Sequence, residues 1–493
     1  MRRSLLLLLG LTLACDKNGP ATKSPEIPAP GPKPGPAAAN QPGGPPAPTR
    51  KILLRNARVM TAAGKVFERG DLLIDGDRIA EVGVGVAAPQ GATVIDLTGK
   101  TLTPGIIDTH SHIGVYAAPG LTGHNDGNEA IAPNTAGVRS ADAYFPQDPQ
   151  IDHARAGGIT TMQILPGSAN LFGGRSVTVR LLPDIRSVDD ARFPGAPEGL
   201  KMACGENPKR VYGQKSGPAT RMGNVAGYRD AFQKAREYQR NWDKYRRDHT
   251  KYLEDKDKPP PAPPPQPAGG PPAPEPKKPD EPQPPAKDLA METLSGVLRG
   301  EILVHNHCYR ADEMALMLEI AASFGFRVRS FHHATEAYKI ADLLAAAGTS
   351  ASVWADWWGF KAEAFDGIRE NAALLHQAGA RAIIHSDSAI GIQRLNQEAA
   401  KAMHAGRRIG IDITDDTALK WITLHPAWAL GIDAATGSLE PGKFADLVVW
   451  SGDPFSVYTL AEQVFIAGAQ VYVRGKSEPQ ADFDLGYRPA GVP

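Results

Sequence analysis

The chain has 493 residues, with 54 Lys+Arg set against 54 Asp+Glu. That length accommodates one large domain and a smaller one, and the balanced charge leaves no electrostatic footprint for nucleic acid or an anionic membrane surface. Three cysteines exclude a disulfide scaffold and a Cys-rich zinc module, so any metal must be held by His, carboxylate or modified Lys.

In chain order, the first segment reads as an export signal. Arg2 and Arg3 precede an apolar run over 5–13, followed by Ala14-Cys15. The run is too short to span a bilayer. It resembles a bacterial lipoprotein signal over 1–14, with Cys15 as the lipidated residue. Thr12 stands where that pattern prefers Leu, and an ordinary secretory signal is the rival reading. Either route takes the protein out of the cytoplasm, and a lipid on Cys15 places it on a membrane facing the periplasm. Residues 15–50 are Pro, Gly, Ala and Lys with almost no large apolar side chain, a disordered tether.

Folded sequence begins at Lys51. Short β runs at 52–54, 57–60, 71–74, 78–82 and 93–97 are separated by turn signals such as Asp75-Gly76-Asp77. Runs at 445–450, 464–468 and 470–473 match them in style. Sections 51–103 and 434–480 are therefore expected to make one small β-sandwich domain from both ends of the chain. Between them, over 104–433, strands at 160–165, 200–203, 302–304, 327–331 and 382–384 alternate with helical patterns such as 312–324 and 338–347. About eight such units over roughly 330 residues favour an α/β fold, a (β/α)8 TIM-like barrel with a parallel sheet. One insertion breaks the rhythm: 228–249 is charged and helical in pattern, and the Pro-rich part, about 250–288 with its prolines over 259–285, reads as a solvated surface loop.

The chemistry starts at Pro104-Gly105-Ile106-Ile107-Asp108-Thr109-His110-Ser111-His112, an apolar strand running into two histidines. Residues i and i+2 of a strand share a face, so both imidazoles can address one metal ion. Later strands also end in polar residues: Lys201 lies in Leu200-Lys201-Met202-Ala203, before Glu206. Val304 leads into His305-Asn306-His307, Phe331 into His332-His333, and Ile384 into His385-Ser386-Asp387. In a barrel these ends converge on one mouth.

This pattern resembles the metal-dependent amidohydrolase superfamily, over nearly everything from 51 to 476. The Pro-Gly-x-Ile-Asp-x-His-x-His opening, the strand-end histidines, the closing Asp387 and the tail from Gly437-Ser438-Leu439 to Ala445-Asp446-Leu447 carry the resemblance. Its flavour is that of the imidazolonepropionase-like and prolidase-like branch. The resemblance implies one or two divalent metals, zinc first, with manganese, iron or nickel as alternatives. His110, His112 and Asp387 would bind the more buried metal, and His305 and His333 a second one, or one of them would complete a single site. Lys201 would be a carbamylated bridging ligand, with Glu206 as its rival. His305 is favoured as ligand, with His307 left for substrate, and His333 is favoured over His332. His307, His332 and His385 have a supporting or solvent-facing role as the bland alternative.

The implied mechanism is hydrolysis of a non-peptide or dipeptide C–N bond, an amide or cyclic amide. A metal lowers the pKa of water from 15.7 to about 7, Asp387 moves the proton to the leaving nitrogen, and the metal or His307 polarises the carbonyl. A mononuclear deaminase is the enzymatic alternative, and a degenerate, periplasmic binding protein the non-enzymatic one. A small molecule or dipeptide is the expected partner, and oligomeric state is left open. The glycine-rich run 166–174 reads as a close-approach loop in the mouth, presenting Asn170. Arg175 and Arg221 are candidates to bind a substrate carboxylate, with a structural role as the alternative. Trp354, Trp357 and Trp358 suit core, lid or stacking equally. Cys204 and Cys308 follow neighbouring strands; two buried thiols are the default, a disulfide the alternative.

Overall fold

The computed structural model describes residues 50–215, 217–258 and 280–476. The export signal, Cys15, the tether up to residue 49 and the Pro-rich residues 259–279 lie outside the described residues.

The N-terminal β section holds β1 (Lys51–Met60), β2 (Val66–Asp75), β3 (Arg78–Gly83), β4 (Thr93–Asp96) and β5 (Thr101–Pro104). Then come β6 (Ile106–Ser111), β7 (Ile159–Ile164), β8 (Phe172–Arg180), β9 (Gly199–Ala203), β10 (Leu303–Cys308), β11 (Val328–His333), β12 (Ser350–Val353) and β13 (Ala382–Ile384). The C-terminal section supplies β14 (Leu447–Trp450), β15 (Ala461–Ile466) and β16 (Ala469–Val473).

The two ends of the chain meet in one eight-stranded sheet, ordered β16-β15-β14-β5-β1-β2-β3, with β4 paired to β1. Strand β5 is the seam. Leu102 stands opposite Val59 of β1 on one side and opposite Val449 of β14 on the other. Leu54, Val59, Leu72, Leu102, Leu447, Val449 and Phe465 close a single apolar core behind it. Burying such side chains is what holds distant chain segments together.

The second sheet runs β6 to β13 in sequence order. It is parallel except at β8, which is antiparallel to both β7 and β9. This corrects the all-parallel expectation. The link between β7 and β8 is too short for a crossover helix, and a short link joins only antiparallel neighbours. It also corrects the glycine-rich loop, because Gly173, Gly174 and Arg175 belong to β8. The sheet curls into a nearly closed barrel. Ile107 N–H donates to Ile422 O (2.9 Å) and Ile384 N–H to Trp421 O (3.0 Å), so one short segment bridges β6 and β13.

Helices fill the outside. Ala311–Phe324 connects β10 to β11 and stops at Gly325, whose φ of 71° permits the left-handed cap. The charged pattern at 228–249 lies within a 35-residue helix, Arg221–Asp255. Cys204 and Cys308 form a disulfide, with Cα atoms 5.3 Å apart, which corrects the default of two thiols. Their strands are adjacent, Ala203 stands opposite His307, and Cys204 N–H donates to His307 O, so the two side chains are brought into bonding range. Among the described residues no helix is long and apolar enough to cross a membrane.

Candidate metal centre

The carboxyl ends of β6, β9, β10, β11 and β13 bring the predicted residues together. His110 is the last residue but one of β6 and His112 follows the strand, their rings 5.0 Å apart and nearly perpendicular. His112 Nδ1 lies 2.8 Å from Leu165 O, which orients Nε2 toward Asp387 Oδ1 at 3.3 Å. The same oxygen is 3.5 Å from His110 Nε2, and Asp387 Oδ2 is 3.7 Å from His333 Nδ1.

Asp108 holds this arrangement from behind. It is fully buried, accepts from His110 N–H (3.1 Å) and Ser386 N–H (3.2 Å), and also accepts from the Ser386 hydroxyl. Asp387 N–H in turn donates to His110 O at 3.1 Å. One carboxylate thus fixes the first and last strand ends against each other. Burial pushes the Asp108 carboxyl up to about 7, against the pull of its Ser386 hydrogen bonds. Sequence reasoning missed Asp108, although strand parity puts 108, 110 and 112 on one face.

Lys201 is fully buried, with Nζ 3.2 Å from His110 Nε2, and burial lowers its ammonium to about 7. Glu206 faces elsewhere. Its carboxylate is 3.6 Å from Lys361 Nζ, on the rim. The histidines of β10 differ in depth. His305 stands opposite Lys201, one rung deeper than His307, and its Nδ1 lies 3.0 Å from His332 Nε2. His332 Nδ1 continues to His110 Nδ1 at 2.9 Å, so His305 and His332 back the centre from below. His307 stands at the mouth, its ring 4.6 Å from that of His333. His385 Nε2 is 3.0 Å from His333 Nδ1. Burial lowers the imidazoles of His305 to about 3 and His385 to about 4, and lowers His110, His307, His332 and His333 well below 6.5, so all are neutral donors of lone pairs.

The donor set fits a divalent metal. His110, His112 and Asp387 offer ligand atoms within 4.8 Å of one another, and so do His110, His333 and His385. His385 Nδ1 is buried and finds no hydrogen-bond partner among the described residues. His333 and Asp387 hold positive φ values of 69° and 52°, strain that a functional site stores and the surrounding barrel must offset.

Three candidates lie apart from this cluster. Asn170 is buried and clamps a loop, donating to Glu129 O, Ala132 O and Thr135 Oγ1. Arg175 donates to Thr293 Oγ1 (2.7 Å) and pairs with Glu198 at 3.0 Å. Arg221 is held between Glu313 (3.0 Å) and Glu363.

The sequence profile of the amidohydrolase family matches residues 300–477. A crystal structure of an amidohydrolase from Thermotoga maritima MSB8 superimposes with a TM-score of 0.72, at 36% identity, covering 86% of this chain and all of that one. The chain belongs to the amidohydrolase family. Within that family it is 32% identical to amidohydrolase tasK of Hapsidospora irregularis over 90% of its own length, but it spans about half (46%) of that relative. A shorter stretch, 26% of the chain, is 31% identical to a dihydroorotase of Geobacter sulfurreducens and spans 24% of it.

Proposed function

We propose that this chain is a metal-dependent hydrolase of an amide or cyclic-amide C–N bond, on the imidazolonepropionase-like or prolidase-like side of its family. The observation that carries this is the convergence of His110, His112 and Asp387 at the ends of the first and last barrel strands. Relatives named amidohydrolase and dihydroorotase support the reaction class.

His110, His112 and Asp387 would hold one metal, zinc by preference, with His333 and His385 placed for a second. When bound, the metal would lower the pKa of a water toward neutrality and polarise the carbonyl. The remaining work falls to the chain. Asp387 Oδ2 takes the proton that the attacking water gives up and passes it to the leaving nitrogen. His307 donates to the developing oxyanion, and its tautomer is set from the rim. Lys361 Nζ donates to Asn207 Oδ1 (3.0 Å), which turns Asn207 Nδ2 toward His307 Nε2 (3.3 Å) and leaves the proton on Nδ1. That Nδ1 is buried without a hydrogen-bond partner among the described residues, a donor held in reserve for substrate. A free Lys201 ammonium would repel a cation beside His110. As a carbamate it becomes an anionic ligand, and the lowered affinity of its amine for a proton favours that modification.

Export with a lipid on Cys15 completes the reading, and the Cys204–Cys308 bond supports it, because disulfides persist in oxidising compartments. The test is turnover of a panel of dipeptides, lactams and ring imides by metal-reconstituted protein. Turnover lost on chelation and restored by metal supports the proposal; chelator-insensitive turnover sinks it.

A further inference from the structure

Above the metal centre stands an aromatic wall that the mechanism does not use. Trp354, the residue after β12, lies face to face with two of the histidines: 4.4 Å and 28° from His333, 5.2 Å and 23° from His385. Its indole N–H donates to Ser386 O (3.1 Å), which fixes the ring. Tyr309, just past β10, stacks on His333 from 5.5 Å. From this buried base the wall climbs outward. Trp357 packs on Trp354 at 4.7 Å, and Phe360 packs on Trp357 (5.4 Å), Trp354 (5.7 Å) and Tyr309 (6.2 Å).

The inner rings are buried, whereas Trp357 is 46% and Phe360 48% exposed. A pair of large aromatic side chains left half open, on a cluster whose other side touches the reacting centre, is an unfinished apolar surface. The charges beside it are already spent. Lys361 lies 4.3 Å over the Tyr309 ring but is engaged by Glu206 and Asn207, and Arg221 is held by Glu313 and Glu363. This side of the mouth therefore offers rings rather than an unpaired cation.

We propose that Tyr309, Trp354, Trp357 and Phe360 form a subsite for an aromatic group carried next to the scissile C–N bond. The proposal rests on the hydrolase reading and names its substrate class: amides bearing an aromatic side chain, in preference to those with a small one. Ring-on-ring contact and burial of a phenyl group together account for a preference of at least about tenfold over methyl.

Calorimetry on the metal-loaded chain with benzylphosphonate and methylphosphonate tests this, since the two probes share a head group and differ only in the ring. Benzylphosphonate is expected to bind at least about tenfold tighter, and Trp357→Ala and Phe360→Ala to pull that ratio toward one. Equal affinities in the wild type, no binding by either probe, or a ratio that survives both substitutions would overturn the subsite. Turnover of aromatic amides is scored separately. Its absence with the ring preference intact counts against the hydrolase reading and leaves the subsite standing.

Discussion

The barrel mouth and the terminal sheet solve opposite problems. The sheet gathers strands from both ends of the chain around an apolar core in which Leu102 and Phe465 are fully buried. The mouth buries six histidines, a lysine and Asp108, leaves imidazole nitrogens of His305, His307 and His385 without a hydrogen-bond partner among the described residues, and bends His333 and Asp387 into positive φ. Polar burial of that kind costs stability, and strain adds about 1–3 kcal/mol per residue. The sheet and the barrel's apolar shell must offset it. The lesson is a division of labour: substitutions in the mouth should remove activity at little expense to the fold, and those in the sheet should do the reverse.

The largest test of that division is Asp387→Asn. We expect turnover to fall by about a thousandfold or more, with bound metal and melting temperature nearly kept, as read by steady-state kinetics beside calorimetry. Unchanged turnover would break the comparison at its strongest point. Leu102→Ala is the mirror experiment. It should cost about 2–5 kcal/mol in denaturant unfolding while kcat per folded molecule holds.

The disulfide spans 104 residues and ties the strands that carry Lys201 and His307, so it belongs to both regions. Cys204→Ser with Cys308→Ser should cost about 2–4 kcal/mol, chiefly by freeing the unfolded chain, and should also weaken metal retention. Metal retention equal to wild type would restrict the bond to a stabilising role.

The smallest effect concerns pH outside the mouth. Burial lowers His425 to about 4, with its Nδ1 2.8 Å from Ala382 O. A folded pKa below the unfolded 6.5 contributes stability that is fully present above pH 6.5 and lost as pH falls toward 4. His425→Asn should flatten the acid-side decline in unfolding free energy over that window by about 1–2 kcal/mol. An unaltered pH profile would show that the side chain is neutral-indifferent in the fold.

How much of this was legible beforehand follows from what each signal encodes. Strand parity made His110 and His112 legible as a pair, and strand-end position did the same for Lys201, His333 and Asp387. Depth along a strand has no sequence signature, so His305 and His307 could be told apart only by the ladder that sets His305 opposite Lys201. Orientation was equally hidden: β8 reads as a glycine-rich loop because Gly173 and Gly174 dilute its apolar pattern, and its reversal depends on a link length visible only once both strand ends are known. Arg175 and Arg221 looked available because their carboxylate partners, Glu198, Glu313 and Glu363, are distant in sequence. The aromatic wall was legible only in its Trp354 and Trp357, since Tyr309 meets Trp354 across the end of β11, which separates their two strands.

The central claim is that the strand-end cluster holds metal for catalysis. Elemental mass spectrometry of protein purified without added metal or chelator, run on the wild type beside His110→Ala, tests it most directly. The account predicts one to two equivalents of divalent metal per wild-type chain and almost none in the variant. A wild type that stays metal-free after reconstitution, or a variant that keeps its full complement, would contradict it.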